Sequence, residues 1–403
     1  MLNIKYASCM CSENKFKELF GNSENKPAQQ VQKYHRTMVN GLYMCDGVNI
    51  KALSMLPINE TNCNRKYIKK SKENVNGLQI LYISILNIKV IKRLHSLIYG
   101  FILGLKNIKN EDILIVDVLN ISFCLGITLA AKINNVYIIG IITDIPDILF
   151  GNRGTLSARL GNCIISTCNA YLLLTEAMNE KVNNKCEKPY VVIEGQVDDN
   201  MMNDLKTLPV KYTKKTCMYT GSLNKIHGIQ YMVEGFIDAN IENSELRLYG
   251  DGDFVPEIIK ISNEHPNIIY EGVKLNSYIV KEQKRATLLI NPRPTNEEFA
   301  KYSFPSKNME YMASGTPILT TCLPGMPKEY YPYVFLLEEE NKEGMCKSLT
   351  KILNEKPELL LKKGKEALEY VLRNKTGRIQ AQKIIEMINN ERKHEIEKKA
   401  GFN

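Results

Sequence analysis

Short apolar runs alternate with longer amphipathic stretches along the first half of the chain. Segments 112–119 and 135–144 are rich in aliphatic and β-branched residues, and the helix-length stretch 121–133 separates them. Runs of this kind are typical of strands that are buried on both faces of a parallel sheet. Segments 169–175 and 189–195 have the same character. The alternation therefore predicts a parallel sheet that is covered by helices.

The same alternation restarts in the second half, where a helix is predicted over about 226–238. The predicted strands are 217–221, 245–253, 267–273, 287–292 and 317–321. Between the halves, the polar stretch 197–215 contains Pro209 and lacks apolar periodicity, which is typical of a linker. The polar segments 13–30 and 60–76 are predicted to be loops.

The chain of 403 residues is long enough for two α/β domains, each with its own core. We predict an N-terminal domain over 1–196, a linker over 197–215, a C-terminal domain over 216–375 and a charged helix over 376–403.

The net charge of +9 suits an anionic partner such as a nucleotide phosphate, a lipid-linked phosphate or an anionic membrane, although solvated lysines account for much of it. Nucleic acid is not an expected partner, because the chain has no tryptophan and no basic stripe interleaved with aromatic residues. The 11 cysteines form no C-x-x-C pair, which argues against zinc-finger and thioredoxin-like sites. We expect reduced thiols in a cytoplasmic protein.

The most apolar helical segment, 94–105, is too short to cross a bilayer. It is either a buried helix or a helix that lies in a membrane interface. The second alternative is supported by the basic residues on both sides of the segment, which are Lys89, Lys92, Arg93, Lys106 and Lys109. It would place the protein at the inner face of the membrane as a peripheral protein.

Segment 303–319 predicts a helix that begins close to a strand end. Ser303 or Ser306 would cap it, Pro305 suits its first turn, and Gly315 would end it. The free N–H groups of such a helix suit a phosphate.

Two charged residues on this predicted helix are candidates for binding a nucleotide. Lys307 in the first turn would add a cation, and Glu310 could accept two hydrogen bonds from ribose hydroxyls. The alternative is that Lys307 is solvated and that Glu310 only complements the helix dipole.

Three further segments place polar groups after predicted strands. Gly221 is followed by Lys225 and a helix, which suits either a phosphate site or a simple βα turn. Gly250 and Gly252 would allow close backbone approach after their strand. Arg293 lies between two prolines at a predicted carboxyl edge, either as a placed charge or in a rigid solvent loop. In the N-terminal half, Asp117 and Asp144 lie near strand ends, and the lone His35 on a probable helix is interpreted as structural.

Taken together and in this order, these segments resemble those of glycosyltransferase family four, the retaining GT-B enzymes, in the branch of bacterial polysaccharide and capsule biosynthesis. The resemblance covers residues 190–355 and extends loosely over the N-terminal half. It implies two Rossmann-like parallel-sheet domains that face a central cleft, with the acceptor on the N-terminal side and the nucleotide-sugar on the C-terminal side. It also implies that helix 376–403 returns to the N-terminal domain.

The resemblance implies roles for individual residues. Lys225, Lys307 and Arg293 would stabilise the leaving group as catalytic cations. The donor-binding residues would be Gly221, Ser222, Gly250, Gly252, Val273, Ser303, Phe304, Ser306 and Glu310. The chain departs from the family pattern at Tyr302, where the first of two glutamates is usual, and Glu298 is its nearest substitute. Ser222 and His227 stand where the family has an arginine and a lysine.

The implied activity is transfer of a sugar from a UDP- or GDP-sugar to a glycan or lipid-linked glycan, with retained configuration. No cofactor or metal is expected, because Asp251 and Asp253 belong to a glycine loop rather than to a metal-binding pair. The alternatives are a sugar-nucleotide epimerase of the same fold and a non-catalytic partner subunit.

Overall fold

The computed structural model describes residues 1–21, 23, 25–150, 155–185, 187–199 and 210–400. Contacts divide the chain into two compact units. The N-terminal unit comprises Met1–Asp198 with Thr376–Asn403, and the C-terminal unit comprises Asp199–Lys375. Part of the predicted linker, 200–209, lies outside the described residues.

A mostly parallel sheet forms the centre of the N-terminal unit. The strands of this unit are β1 (Leu2–Ser8), β2 (Val48–Ser54), β3 (Tyr67–Ile68), β4 (Ser71–Val75), β5 (Leu78–Tyr82), β6 (Ile85–Leu86), β7 (Asp112–Asp117), β8 (Tyr137–Ile142), β9 (Ala170–Leu173) and β10 (Tyr190–Val192). The sheet order is β10-β9-β8-β7-β1-β2-β5-β4, and β3 pairs separately with β6. Every residue of β7 is buried, which explains its nearly unbroken apolar sequence.

Helices pack around this sheet. They are α1 (Glu13–Phe20), α2 (Gln29–Tyr43), α3 (Lys89–Asn107), α4 (Ile121–Ile133), α5 (Pro146–Leu149), α6 (Leu156–Thr167) and α7 (Glu176–Val182). The βαβ alternation predicted for this half is confirmed.

The prediction of a loop over 13–30 was wrong, because α1 occupies much of it. The Ser12 side chain accepts a hydrogen bond from the Lys15 backbone N–H and caps the helix. Phe20 is buried, and its ring lies 5.2 Å from that of Phe16. A capped helix with a small apolar face resembles a polar loop when only composition is considered.

The loop predicted over 60–76 was also wrong, because it contains β3 and β4. Strand β4 pairs antiparallel with β5 at the edge of the sheet, where half-exposed polar side chains are tolerated. Asn76 and Gly77 connect the two strands with φ angles of 52° and 94°. Asn-Gly is a strong sequence signal for a tight hairpin, and it was present in the chain.

A smaller parallel sheet forms the centre of the C-terminal unit. Its strands are β11 (Lys215–Thr220), β12 (Ser244–Tyr249), β13 (Ile268–Gly272), β14 (Leu288–Asn291), β15 (Ile318–Thr321) and β16 (Phe335–Leu337). Their order is β13-β12-β11-β14-β15-β16, and all neighbours are parallel. The helices are α8 (Ile229–Ala239), α9 (Val255–Glu264), α10 (Asn276–Arg285), α11 (Ser306–Ala313), α12 (Lys342–Leu353) and α13 (Pro357–Asn374). The predicted α/β class with Rossmann-like parallel sheets is confirmed.

The closing helix, α14 (Gly377–Ala400), packs within the N-terminal unit. Gly41 of α2 lies against the backbone of Gly377, so closely that a Cβ at position 41 would collide with it. Ile384 and Ile388 are buried. The sparse apolar stripe of this charged helix therefore faces the unit to which it packs.

Candidate functional site

The order of strands in the C-terminal unit creates a switch point at β11. This strand pairs with β12 on one side and with β14 on the other. In open α/β sheets, ligands bind at the carboxyl ends of the strands beside such a point. The segments that leave these strands begin at Gly221, Gly250 and Pro292.

Glycine at positions 221 and 250 allows the two exit loops to lie against each other. Their φ angles are 135° and 137°, in the region that favours glycine. A Cβ at Gly250 would collide with the carbonyl of Gly221, and one at Gly252 would meet the backbone of Leu223. A Cβ at Gly221 would collide with the amino group of Lys307. Gly221 therefore leaves the space that this lysine occupies.

Helix α11 begins beside this edge, but its start differs from the prediction. Pro305 is the N-cap residue, Ser306 is the first helical residue, and neither serine candidate caps the helix through its side chain. Ser303 instead lies at the end of a 3-10 helix, and its Oγ accepts a hydrogen bond of 3.4 Å from Arg293. The first N–H groups of α11 are consequently without a side-chain cap, as an anion-binding terminus requires. Gly315, with φ 73°, follows the end of the helix as predicted.

Lys307 is a half-buried cation rather than a solvated one. Its Nζ donates a hydrogen bond of 2.7 Å to Tyr219 Oη and lies 4.5 Å from the centre of that ring. Burial lowers the pKa of Lys307 to about 8; Arg293 adds to the shift, and Glu310 opposes it. The three charged groups therefore lie close enough to influence one another.

A buried glutamine holds the carboxylate of Glu310 through a hydrogen bond. Gln283 of α10 donates a hydrogen bond of 2.9 Å from Nε2 to Glu310 Oε1 and one of 3.3 Å to Thr220 Oγ1. Gln283 is fully buried, whereas Glu310 is half-buried. One carboxylate oxygen is thus fixed by the protein, and Glu310 does more than complement the dipole of its helix.

Arg293 is held in place by stacking and by its backbone. Its guanidinium lies 4.7 Å from the ring centre of Phe299, and its carbonyl accepts a hydrogen bond of 2.5 Å from Thr321. The side chain is half-buried. This arrangement favours the placed charge over the rigid solvent loop among the two alternatives.

The structure does not join Lys225 to the charged group around Lys307. Its Nζ forms an ion pair of 3.0 Å with Glu257 of α9, and its backbone N–H donates to Asp253. The charges that act on Lys307 are those of Arg293 and Glu310.

His227 also lies among these charged groups, although it was not among the predicted site residues. Burial lowers its pKa, Lys307 and Arg293 lower it further, and Asp253 opposes them. The imidazole is therefore neutral near pH 7 and lies within the field of both cations. Its signal was its position in the turn after β11, just before Gly228, which has φ 77° and opens α8.

The remaining candidates have varied environments. Val273 is 74% exposed and follows Gly272, whose φ is 70°. Ser222 is half-buried, and its carbonyl accepts a hydrogen bond of 2.8 Å from Tyr219 Oη. Phe304 is buried with its ring 5.3 Å from that of Tyr330, so its side chain belongs to the core rather than to a ligand surface.

Four further residues that the resemblance singled out can also be placed. Tyr302, in the position of the missing glutamate, is half-buried, and Glu298 is exposed. Asp251 accepts a hydrogen bond from the backbone N–H of Gly252, and Asp253 accepts one from the backbone N–H of Lys225. Among the described residues, no group of three or more His, Cys, Asp or Glu side chains is arranged to hold a metal ion.

In the N-terminal unit, His35 has partners at both ring nitrogens. Nδ1 lies 2.7 Å from Tyr6 Oη, and Nε2 lies 3.4 Å from Asp117 Oδ2 at the end of β7. All three residues are buried. This agrees with the structural interpretation of His35.

Residues 214–355 match a family model described as "Glycosyl transferases group 1". No curated protein sequence matches the chain. Solved structures resemble it over almost its whole length. Sucrose-phosphate synthase from Thermosynechococcus elongatus has 12% identity and a TM-score of 0.64, with 97% of this chain and 99% of that one covered.

Two further structures agree. The lipopolysaccharide outer core galactosyltransferase WaaB in its apo form has 14% identity and a TM-score of 0.61, with coverage of 97% and 100%. Anabaena Alr3699/HepE in complex with UDP and glucose has 10% identity and a TM-score of 0.60, again with coverage of 97% and 100%. The chain has the GT-B fold. At this level of identity the likeness concerns the fold, and the segment that matches the family model contains the whole site around Lys307.

Proposed function

We propose that the protein is a retaining glycosyltransferase. It would move a sugar from a UDP- or GDP-sugar to a glycan or lipid-linked glycan acceptor in the biosynthesis of a cell-surface polysaccharide such as a capsule. The main support is one arrangement: Lys307 and Glu310 lie one turn apart on α11, beside Arg293, at the carboxyl edge of the sheet. The family match over 214–355 and the GT-B fold support the reaction class.

In this proposal the uncapped start of α11 and the two cations bind the diphosphate of the donor. The bond between the anomeric carbon and the distal phosphate oxygen breaks, and the nucleoside diphosphate leaves with the electron pair. The acceptor hydroxyl oxygen bonds to the anomeric carbon on the same face, and its proton passes to the phosphate oxygen that departs. Lys307 and Arg293 stabilise the charge that develops on the departing oxygen, so no metal is needed for this role.

Glu310 would bind the ribose of the donor. Gln283 engages Oε1, which leaves acceptor capacity on the carboxylate for the two vicinal hydroxyls. Hydrogen bonds to a charged group contribute about 1.5–3 kcal/mol each. Loss of both hydrogen bonds, about 3–6 kcal/mol, should therefore weaken nucleotide binding by about two to four orders of magnitude.

The test begins with a thermal-shift screen of sugar nucleotides, since a ligand at 100 times its Kd stabilises the folded state by about 2.7 kcal/mol. Calorimetry then compares the wild type with Glu310→Ala, and turnover assays compare it with Lys307→Ala. We expect Glu310→Ala to raise the Kd about 10²- to 10⁴-fold and Lys307→Ala to lower kcat about 10²–10³-fold. Glu366→Ala and Lys362→Ala on α13 are matched controls, because both side chains are exposed there.

The outcomes separate the proposal from its alternatives. Unchanged nucleotide affinity in Glu310→Ala would remove the ribose role. Donor binding without turnover on any glycan or lipid-linked acceptor would favour a non-catalytic partner. Tyr302 and Ser222, which depart from the family pattern, support that alternative. Conversion of the donor sugar without an acceptor would favour an epimerase. Inverted configuration at the anomeric carbon of the product, measured by NMR, would contradict retention.

A further inference from the structure

Helix α3 exposes its large apolar side chains to solvent. Between 42% and 78% of the surface of each is exposed in Val90, Ile91, Leu94, Ile98, Ile102 and Leu105. From Ile91 onward they recur every three or four residues, so they form one stripe along the helix, which Val90 widens at its start. Surface helices of globular proteins ordinarily turn such a stripe toward the core.

The inward face of α3 is made mainly of small residues instead. Ser96, Gly100 and Gly104 are buried, together with Leu103. A Cβ at Gly100 would lie 2.6 Å from the carbonyl of Phe123, and one at Gly104 would lie 2.6 Å from the Cβ of Ala130. At these two glycines α3 and α4 approach so closely that a larger side chain has no place between them. The exposed stripe is therefore a consequence of how α3 packs.

The charges around this stripe have one dominant sign. Lys89, Arg93 and Lys106 of α3 are exposed, and the helix contains no acidic residue. Strand β6 precedes α3 and pairs with β3, where Tyr67 and the preceding Lys66 are exposed. Glu60 is an acidic neighbour at the start of α3, and its carboxylate accepts a hydrogen bond of 2.7 Å from the first N–H of the helix.

We infer that this face of α3 binds the surface of an anionic lipid bilayer. An apolar stripe with basic flanks is the pattern of helices that lie in a membrane interface, where side chains enter the acyl boundary and cations meet lipid phosphates. No helix in the described part of the chain is long and apolar enough to span a membrane. The contact is consequently peripheral, and of the two alternatives for segment 94–105 the interfacial one is favoured.

A second copy of the chain fits this face less well. A two-fold symmetric pairing would bring the same basic flanks of both copies together, and like charges at close range are unfavourable. An anionic bilayer complements them instead. The inference does not depend on the proposed donor site, because all the residues of the α3 face belong to the N-terminal unit.

Vesicle flotation tests the inference with the full chain at about 0.1 M salt. Phosphatidylcholine vesicles are compared with vesicles that contain roughly 30% phosphatidylglycerol. The wild type should bind the anionic vesicles more strongly. Replacing two apolar residues in Leu94→Ser/Ile98→Ser should lower the partition constant about 10- to 100-fold. Replacing two cations in Arg93→Gln/Lys106→Gln should lower it about 30-fold on anionic vesicles only.

The matched controls lie on α13 of the other unit. Leu359→Ser/Leu361→Ser and Lys362→Gln/Lys365→Gln remove equally exposed side chains and should leave binding unchanged. Circular dichroism and nucleotide affinity should be the same in all variants, which separates this test from that of the donor site. Equal binding to neutral and anionic vesicles, or undiminished binding of the α3 variants, would overturn the inference. So would a wild-type dimer that fails to float and becomes monomeric in Leu94→Ser/Ile98→Ser.

Discussion

If Lys307 binds the donor diphosphate as proposed, its low pKa should make nucleotide binding sensitive to pH. With a pKa of about 8, this lysine is protonated at neutral pH and loses its proton over a range in which an ordinary lysine keeps its own. A bound diphosphate stabilises the protonated form. Binding should therefore take up protons above pH 7, and affinity should fall as the pH rises through 8.

The size of the effect follows from the protonated fraction. For a pKa of about 8 this fraction is about 0.9 at pH 7 and about 0.1 at pH 9, a ratio of roughly ten. A charge-assisted hydrogen bond contributes about 1.5–3 kcal/mol, which corresponds to at least a tenfold change in affinity. The loss of affinity between pH 7 and pH 9 is therefore set by the fall in the protonated fraction of Lys307. The Kd for UDP should rise about tenfold between pH 7 and pH 9. The terminal phosphate of UDP does not contribute, since its second pKa is near 6.

Calorimetry in buffers of different ionisation enthalpy measures both the affinity and the proton uptake. Lys307→Arg is the decisive variant, because a guanidinium stays charged throughout this range. Its affinity should be independent of pH between 7 and 9. Lys211, whose pKa burial also lowers to about 8, is the rival titrating group; it donates hydrogen bonds to Ala286 and Thr316. A slope that persists in Lys307→Arg would assign the effect to Lys211 and refute the reasoning.

Further predictions concern residues that support the site and the fold. Gln283→Ala should raise the Kd for UDP about tenfold by calorimetry, because Glu310 loses its hydrogen-bond donor. Gln283→Glu should raise the Kd further, because the new carboxylate would repel that of Glu310. Gly221→Ala should lower the free energy of unfolding by about 1–3 kcal/mol and displace Lys307, which urea titration and UDP binding would detect. Gly126→Ala should cost a similar free energy, since its Cβ would collide with the backbone of α3; unchanged stability would contradict the close packing.

The fold was predictable where strands are buried on both faces. Segments such as 112–119 and 287–292 carry apolar runs because neither face of the strand meets water. The edge strand β4 lacked that signal, since solvent accepts its polar side chains. The hairpin signal of Asn76 and Gly77 would have found it.

The site was predictable only in part, because its partners come from distant segments. The spacing of Lys307 and Glu310 on one helix was visible in the sequence, whereas the support from Gln283 was not. Gln283 lies on the polar helix α10, where nothing distinguishes a buried glutamine from a solvated one. Likewise, the partner of Lys225 is Glu257, which lies 32 positions away, and no local pattern predicts that pair.

The departures from the family pattern leave two cations at the site. Ser222 and His227 supply no full charge near pH 7, but Lys307 and Arg293 do, and Arg293 lies close enough to add to the lowering of the Lys307 pKa that burial causes. Burial and the neighbouring Arg293 both disfavour the charged form of Lys307. A ligand with two or more negative charges would offset both effects, whereas a neutral ligand would not. In the proposed function the two cations would therefore favour a diphosphate, and they would favour most the charge that develops on it during transfer.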